Sequence, residues 1–136
     1  MSLAYKILGQ MYIGLTQTTV PGGGGSGYYY GGGGETVVET LEPTVIYNVP
    51  SGKQAIVSSI FAVNHDVVER TYDLAIVPFG ETLGLKHHVK WDQPVSANDF
   101  EMISHKFTLS AGDRVYVFPS TADKFGFTVF GTEISQ

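Results

Sequence analysis

From Thr44 onward, apolar and polar residues alternate with the period of a β-strand, in runs bounded by turn residues. Val45-Ile46-Tyr47-Asn48-Val49 ends at Pro50-Ser51-Gly52. Gln54 to Asn64 reads as a long strand, and Tyr72 to Phe79 as another with Tyr72, Leu74 and Ile76 on one face. The pair 54–64 and 70–79 predicts a hairpin with a solvated polar tip at His65-Asp66-Val67-Val68-Glu69. Strands are predicted over His87–Trp91, Ser104–Leu109, Arg114–Phe118 and Phe125–Ile134. Residues 4–15 are mostly apolar, and Gly9 and Gly14 disfavour a helix there. They read as a strand with a bulge at Gly9. At most one helical turn is expected, near Thr82–Leu85 or Ala97–Asp99. About eight short strands at this spacing predict an all-β fold. The expected form is a single antiparallel β-sandwich domain over residues 1–136, Greek-key or jelly-roll-like.

One segment breaks the pattern. Nine of the 17 glycines lie between Gly22 and Gly34, around Tyr28-Tyr29-Tyr30. Ordering so much glycine costs entropy with little apolar surface to bury in return. Residues 17–42 therefore read as a long exposed loop inserted after the N-terminal strand. Tyrosine among glycine and serine is the composition of recognition loops, so Tyr28, Tyr29 and Tyr30 are the candidate contact residues. A linker whose tyrosines fold back on the sandwich is the alternative.

Charge and cysteine narrow the function classes. The formal net charge is −5 and only 15% of residues are charged. That balance argues against nucleic acid, whose binders need Lys and Arg to release counterions. No cysteine is present, so disulfides and Cys-based metal sites are excluded. No apolar run approaches the ~20 residues of a membrane helix. The N-terminus does not read as a secretory signal, so synthesis in a cytoplasm and no membrane insertion are expected.

The motifs that suggest chemistry are weak. Gly22-x-Gly24-x-x-Gly27 matches a dinucleotide fingerprint, but no helix can start at the tyrosines and glycines that follow. His87-His88 looks like a metal pair, yet neighbours on a strand point to opposite faces. His65 and His105 are distant in sequence, and His105 is expected to be a satisfied core histidine beside Ile103 and Phe107. Asp92, Asp99, Asp113 and Asp123 adjoin turn residues, where Asp commonly bonds local backbone. No nucleophile elbow occurs in a strand–helix context. No catalytic, cofactor-binding or metal residue is assigned, and the chain reads as a non-enzyme. A jelly-roll metalloenzyme using His87, His88 and His105 is the weakest of the readings.

Several stretches together resemble a family of small virion structural proteins of tailed bacteriophages, notably those infecting cyanobacteria and other aquatic bacteria. They are Ala4-Tyr5-Lys6-Ile7-Leu8-Gly9-Gln10, Ile46 to Ile60 with Asn48-Val49-Pro50-Ser51-Gly52 at its turn, Asn64, Lys86-His87, Asp92-Gln93-Pro94-Val95-Ser96-Ala97-Asn98-Asp99, Leu109-Ser110-Ala111-Gly112-Asp113 and Phe130-Gly131-Thr132-Glu133-Ile134. The resemblance implies a β-sandwich subunit located in the virion, with no catalytic residue to transfer. The implied role is a tail, baseplate, neck or fibre component, or a capsid decoration (cement) protein, with other virion proteins as partners. Members pass from the first strand to the Tyr-x-Val-Pro turn by a short link, whereas here Gln17–Leu41 is longer and carries the Gly/Tyr segment. Virions are symmetric, so a homo-oligomer is expected. Phe100, Phe125 and Tyr116 are the expected surface patches, and residues 4–15 the strand that would pair with a neighbour's sheet edge. A receptor- or glycan-binding module using Tyr28–Tyr30 is the reading from a different class, with a host surface or glycan as its partner.

Overall fold

The computed structural model describes residues 6–13, 16–21, 35–40, 43–121 and 123–136, with side chains described for 6–11 and from 43 onward. Two antiparallel sheets pack face to face. The first holds β1 (Lys6–Ile13), β11 (Phe125–Ser135), β5 (Lys53–Asn64) and β8 (Phe100–Ile103) in that order. β9 (Phe107–Leu109) continues the β8 edge further along β5. The second runs β4 (Thr44–Asn48), β10 (Arg114–Pro119), β6 (Arg70–Val77), β7 (His88–Val95). Counting β8 and β9 as one interrupted strand leaves eight positions, four per sheet. The chain changes sheet at nearly every turn, which is the jelly-roll topology expected from the strand spacing.

Alternation in the strands builds the core. Along β10, Val115, Val117 and Pro119 are buried while Arg114, Tyr116 and Phe118 are half-buried. Tyr72 from one sheet meets Phe125 and Phe127 from the other, with ring centroids 5.9 and 5.7 Å apart. Phe125 is fully buried, which removes it from the expected surface patches; Tyr116 is half-buried, and Phe100 alone of the three is exposed. Fully burying one such aromatic contributes roughly 1.5–3 kcal/mol.

The turns follow their residues. Gly52 and Gly112 take φ of +75° and +86°, where an L side chain is strained. Asp113 accepts Ser110 N–H on one carboxylate oxygen and Phe79 N–H on the other. Asp99 accepts the Phe100 N–H. The Ser110 and Phe100 bonds are the local backbone roles expected of Asp113 and Asp99, whereas the Phe79 bond ties two distant turns together. Leu85–His87 forms a single 3₁₀ turn.

Several expectations are corrected. β5 and β6 do not form a hairpin, because β5 pairs within the first sheet and β6 within the second. The residues between them are a corner built on buried Asn64. Its amide donates to Val68 O and Val95 O, both at 3.0 Å, and its carbonyl oxygen accepts Asp66 N–H. Asp66 is buried at this corner rather than solvated, with Arg70 Nε 2.7 Å away. The strand expected over Ser104–Leu109 is only Phe107–Leu109, and Phe100–Ile103 forms the strand before it. His105, in the link between them, is exposed and is not a core histidine. The arms of the segment expected as a loop are strands: β2 (Thr16–Pro21) pairs antiparallel with β3 (Glu35–Thr40). Thr and Val dominate those arms, and both residues favour extended backbone. Tyr28, Tyr29 and Tyr30 lie outside the described residues. β1 pairs along its length with β11 and is the outer strand of the first sheet. Its register shifts between Ile7 and Gly9, the site of the expected bulge.

Candidate assembly face

The register of the first sheet assigns each side chain to the sandwich interior or to the outside. Ile60 pairs with Ile103 and Val129, all three buried, so this row faces inward. The next row, Phe61 with Met102 and Thr128, faces outward, followed by Val63 with Phe100 and Gly126. Further along, Phe130 pairs with Ile7 on the same outer side. The outward face is therefore Ile7, Ile56, Phe61, Val63, Phe100, Met102, Phe130 and Ile134, interspersed with Gln10, Gln54, Ser59, Thr108, Gly126, Thr128 and Thr132. Phe100 is 56% exposed, and Met102 and Ile7 each 50%. Phe61 stacks on Phe100 at 5.8 Å and takes Phe130 edge-on at 5.6 Å, which fixes the rings as one surface.

The charged residues of this sheet all lie in the opposite phase. Its described strands carry four, Lys6, Lys53, Glu101 and Glu133, and each has the register of the core residues. They sit at the rim of the sandwich and are held there. Glu133 receives Lys6 Nζ at 2.8 Å and the hydroxyl of Tyr47, from the other sheet, at 2.7 Å. Lys53 Nζ donates to Ser135 at 3.0 Å. Glu101 receives the hydroxyl of buried Tyr72 and has Lys90 Nζ at 3.9 Å. The Lys6 ammonium, then the Tyr47 hydroxyl, holds the Glu133 carboxyl below the usual range. Burial, reinforced by the two carboxylates, pushes the phenols of Tyr47 and Tyr72 above theirs. An antiparallel sheet with one solvated face normally turns its polar residues outward. Here the ionic residues are turned in and the aliphatic and aromatic ones out.

The second sheet is mixed: Arg70 and Lys90 pair with core residues Val95 and Leu74, while other charged residues lie on its outer side. Its outward side carries Arg114, Tyr116, Phe118, Asp73, His88 and Trp91. Arg114 lies over the Tyr116 ring at 5.7 Å, and His88 sits between Phe118 and Trp91 at 5.2 and 4.8 Å. Asp73 accepts Asp92 N–H at 2.7 Å. Charge is thus spread through this face.

The histidines do not converge. His87 is buried with both ring nitrogens engaged: Nδ1 accepts Gly84 N–H at 2.9 Å, and Nε2 lies 3.1 Å from Glu81. His88 is committed to the aromatic row, and His105 is on the far edge. Among the described residues no group of three or more His, Asp or Glu is placed to hold a metal ion. The outward aromatic and aliphatic set was missed by sequence reasoning except for Phe100. The signal was available in Phe100-Glu101-Met102-Ile103, where the charge has the phase of Ile103 rather than of its apolar neighbours.

No family model and no curated protein matches the chain. Among solved structures, it is similar to a chain of the infectious bursal disease virus Gx strain, with TM-score 0.43, 7% identity and 98% of this chain covered. The match spans about a third, 32%, of that viral chain. It is also similar to the CBM35 from Paenibacillus barcinonensis, with TM-score 0.34, 14% identity, and coverage of 98% of this chain and 99% of that one.

Proposed function

We propose that this protein is a non-enzymatic structural subunit of a tailed-phage virion, acting through contacts between folded surfaces. The fold itself is silent on this, since jelly rolls serve many functions. The observation that carries the reading is the outward face of the first sheet, which holds no charged residue among those described. Apolar surface of this kind marks an interaction site on a soluble protein. The resemblance of several stretches to small virion proteins supplies the setting. Within the virion, a tail, baseplate, neck or fibre position and a capsid decoration position use the same surface chemistry.

Mass spectrometry of particles purified on a density gradient tests the proposal. The protein should co-purify with the particles in many copies and resist a salt wash, because apolar contacts are not screened. Recovery only in the particle-free lysate would overturn it. The segment between β2 and β3 is tested separately. Deleting Gly22–Gly34 should leave particle incorporation intact if Tyr28–Tyr30 serve host or glycan binding. Loss of incorporation would make the segment an assembly element.

A further inference from the structure

Resting on that reading, we infer that the partner of the outward face is a second copy of this chain, seated face to face about a two-fold axis. Two observations favour a copy over an unrelated protein, and area sets how firm the contact is. The first is shape. Phe100 and Met102 project from one margin of the face. A depression of about 310 Å³ opens on the same face, lined by Gln10, Val63, His65, Gly126 and Thr128. Phe100, Val63 and Gly126 stand in one transverse row, so projection and depression lie side by side on adjacent strands. A two-fold axis lying in the plane of the contact, parallel to the strands and between the two features, places the projection of each copy over the depression of the other. That is the self-complementarity an isologous contact requires.

The second is charge. Each copy carries a net −5, so most approaches of two copies are repulsive. This face has no charged side chain among its described strands and brings the copies together without opposing like charges. Area sets the strength. Four strands spaced about 4.8 Å apart and averaging roughly nine residues present roughly 600 Å². A stable free dimer needs about 800 Å² per partner. The contact is therefore weak alone and becomes firm when further contacts in an assembly hold the copies in place.

Sedimentation velocity on the purified full chain tests this. The wild type should move from monomer toward dimer over roughly 10 μM to 1 mM, as a contact below standard size requires. The double variant F100K/M102K should remain monomeric throughout, with an unchanged circular dichroism spectrum. Both side chains are half exposed, so the fold tolerates the change. Val89→Lys, at an exposed position of the second sheet, should dimerise like the wild type. A photo-cross-linking residue at position 102 should yield cross-linked dimer, with products mapping to Gln10, Val63 or Thr128 of the other copy. A wild type monomeric up to 1 mM, or an F100K/M102K variant that dimerises equally, overturns the inference. If the wild type is monomeric but F100K/M102K fails to enter particles, the face binds a different virion protein and the structural reading stands. If neither variant nor wild type enters particles, that reading fails on its own account.

Discussion

Single residues decide how closely neighbouring strands approach. A Cβ on Gly9 would lie 2.0 Å from Ile46 O, where β1 of one sheet passes β4 of the other, and one on Gly131 would lie 2.2 Å from Ile56 O on β5, the adjacent strand of its own sheet. Neither backbone oxygen can move without breaking the strand that carries it. Gly131→Ala should therefore cost about 1–3 kcal/mol of stability, as overpacking does, read as a lower midpoint in urea. Gly84→Ala meets nothing closer than 4.0 Å and should leave the midpoint nearly unchanged. The rim tyrosines make a second prediction. Tyr47 and Tyr72 have phenol pKa values raised in the folded state, first by burial and then by Glu133 and Glu101. Their contribution to stability is complete below the ordinary phenol value of about 10 and is lost as pH rises above it. Tyrosinate absorbance should show these two of the eight tyrosines ionising only with unfolding. Their ionisation in a chain whose circular dichroism is unchanged would refute this.

Elements show where sequence patterning reads well. Strands β5, β6, β10 and β11 were legible because each alternates over six or more residues between turn signals. β8 was not, because Phe100-Glu101-Met102-Ile103 alternates with apolar residues on both faces and a charge in the core phase. The corner after β5 was misread as a hairpin tip because His65, Asp66 and Glu69 look solvated in sequence. Only the fold reveals Asn64 as its buried centre. Replacing Asn64 by Leu would strip the Val68 and Val95 carbonyls of their donor, at a cost of about 2–4 kcal/mol. Asp66 makes the corner sensitive to acid. The Arg70 guanidinium beside it holds its carboxyl below the usual range. The folded value is depressed, so this stabilisation is present above the unfolded carboxylate value near 4 and fades as pH falls through the folded value. Asp66→Asn should flatten the loss of thermal stability between about pH 4 and pH 2, the window in which aspartate normally titrates. An unchanged slope would show that other carboxylates dominate.

At the scale of the whole molecule, the two sheets are chemically unequal. One presents Arg114, Asp73 and His88 on its outer side, whereas the other carries Lys6, Lys53, Glu101 and Glu133 in the core register at its rim and turns Phe61, Phe100, Met102 and Ile7 outward. The jelly roll was legible from strand spacing. The candidate face was not, because its residues come from four strands far apart in sequence and only register assembles them. The Gly/Tyr segment that dominates the composition is bracketed by a β-ribbon, while the strongest interaction chemistry lies on the sheet. Electron cryomicroscopy of particles containing this protein tests that division most directly. The account predicts that the outward face of β1, β11, β5 and β8 is buried against another subunit and the face of β10, β6 and β7 is solvated. A map in which Phe61, Phe100 and Met102 face solvent while Tyr116, Phe118 and Trp91 are covered would contradict it.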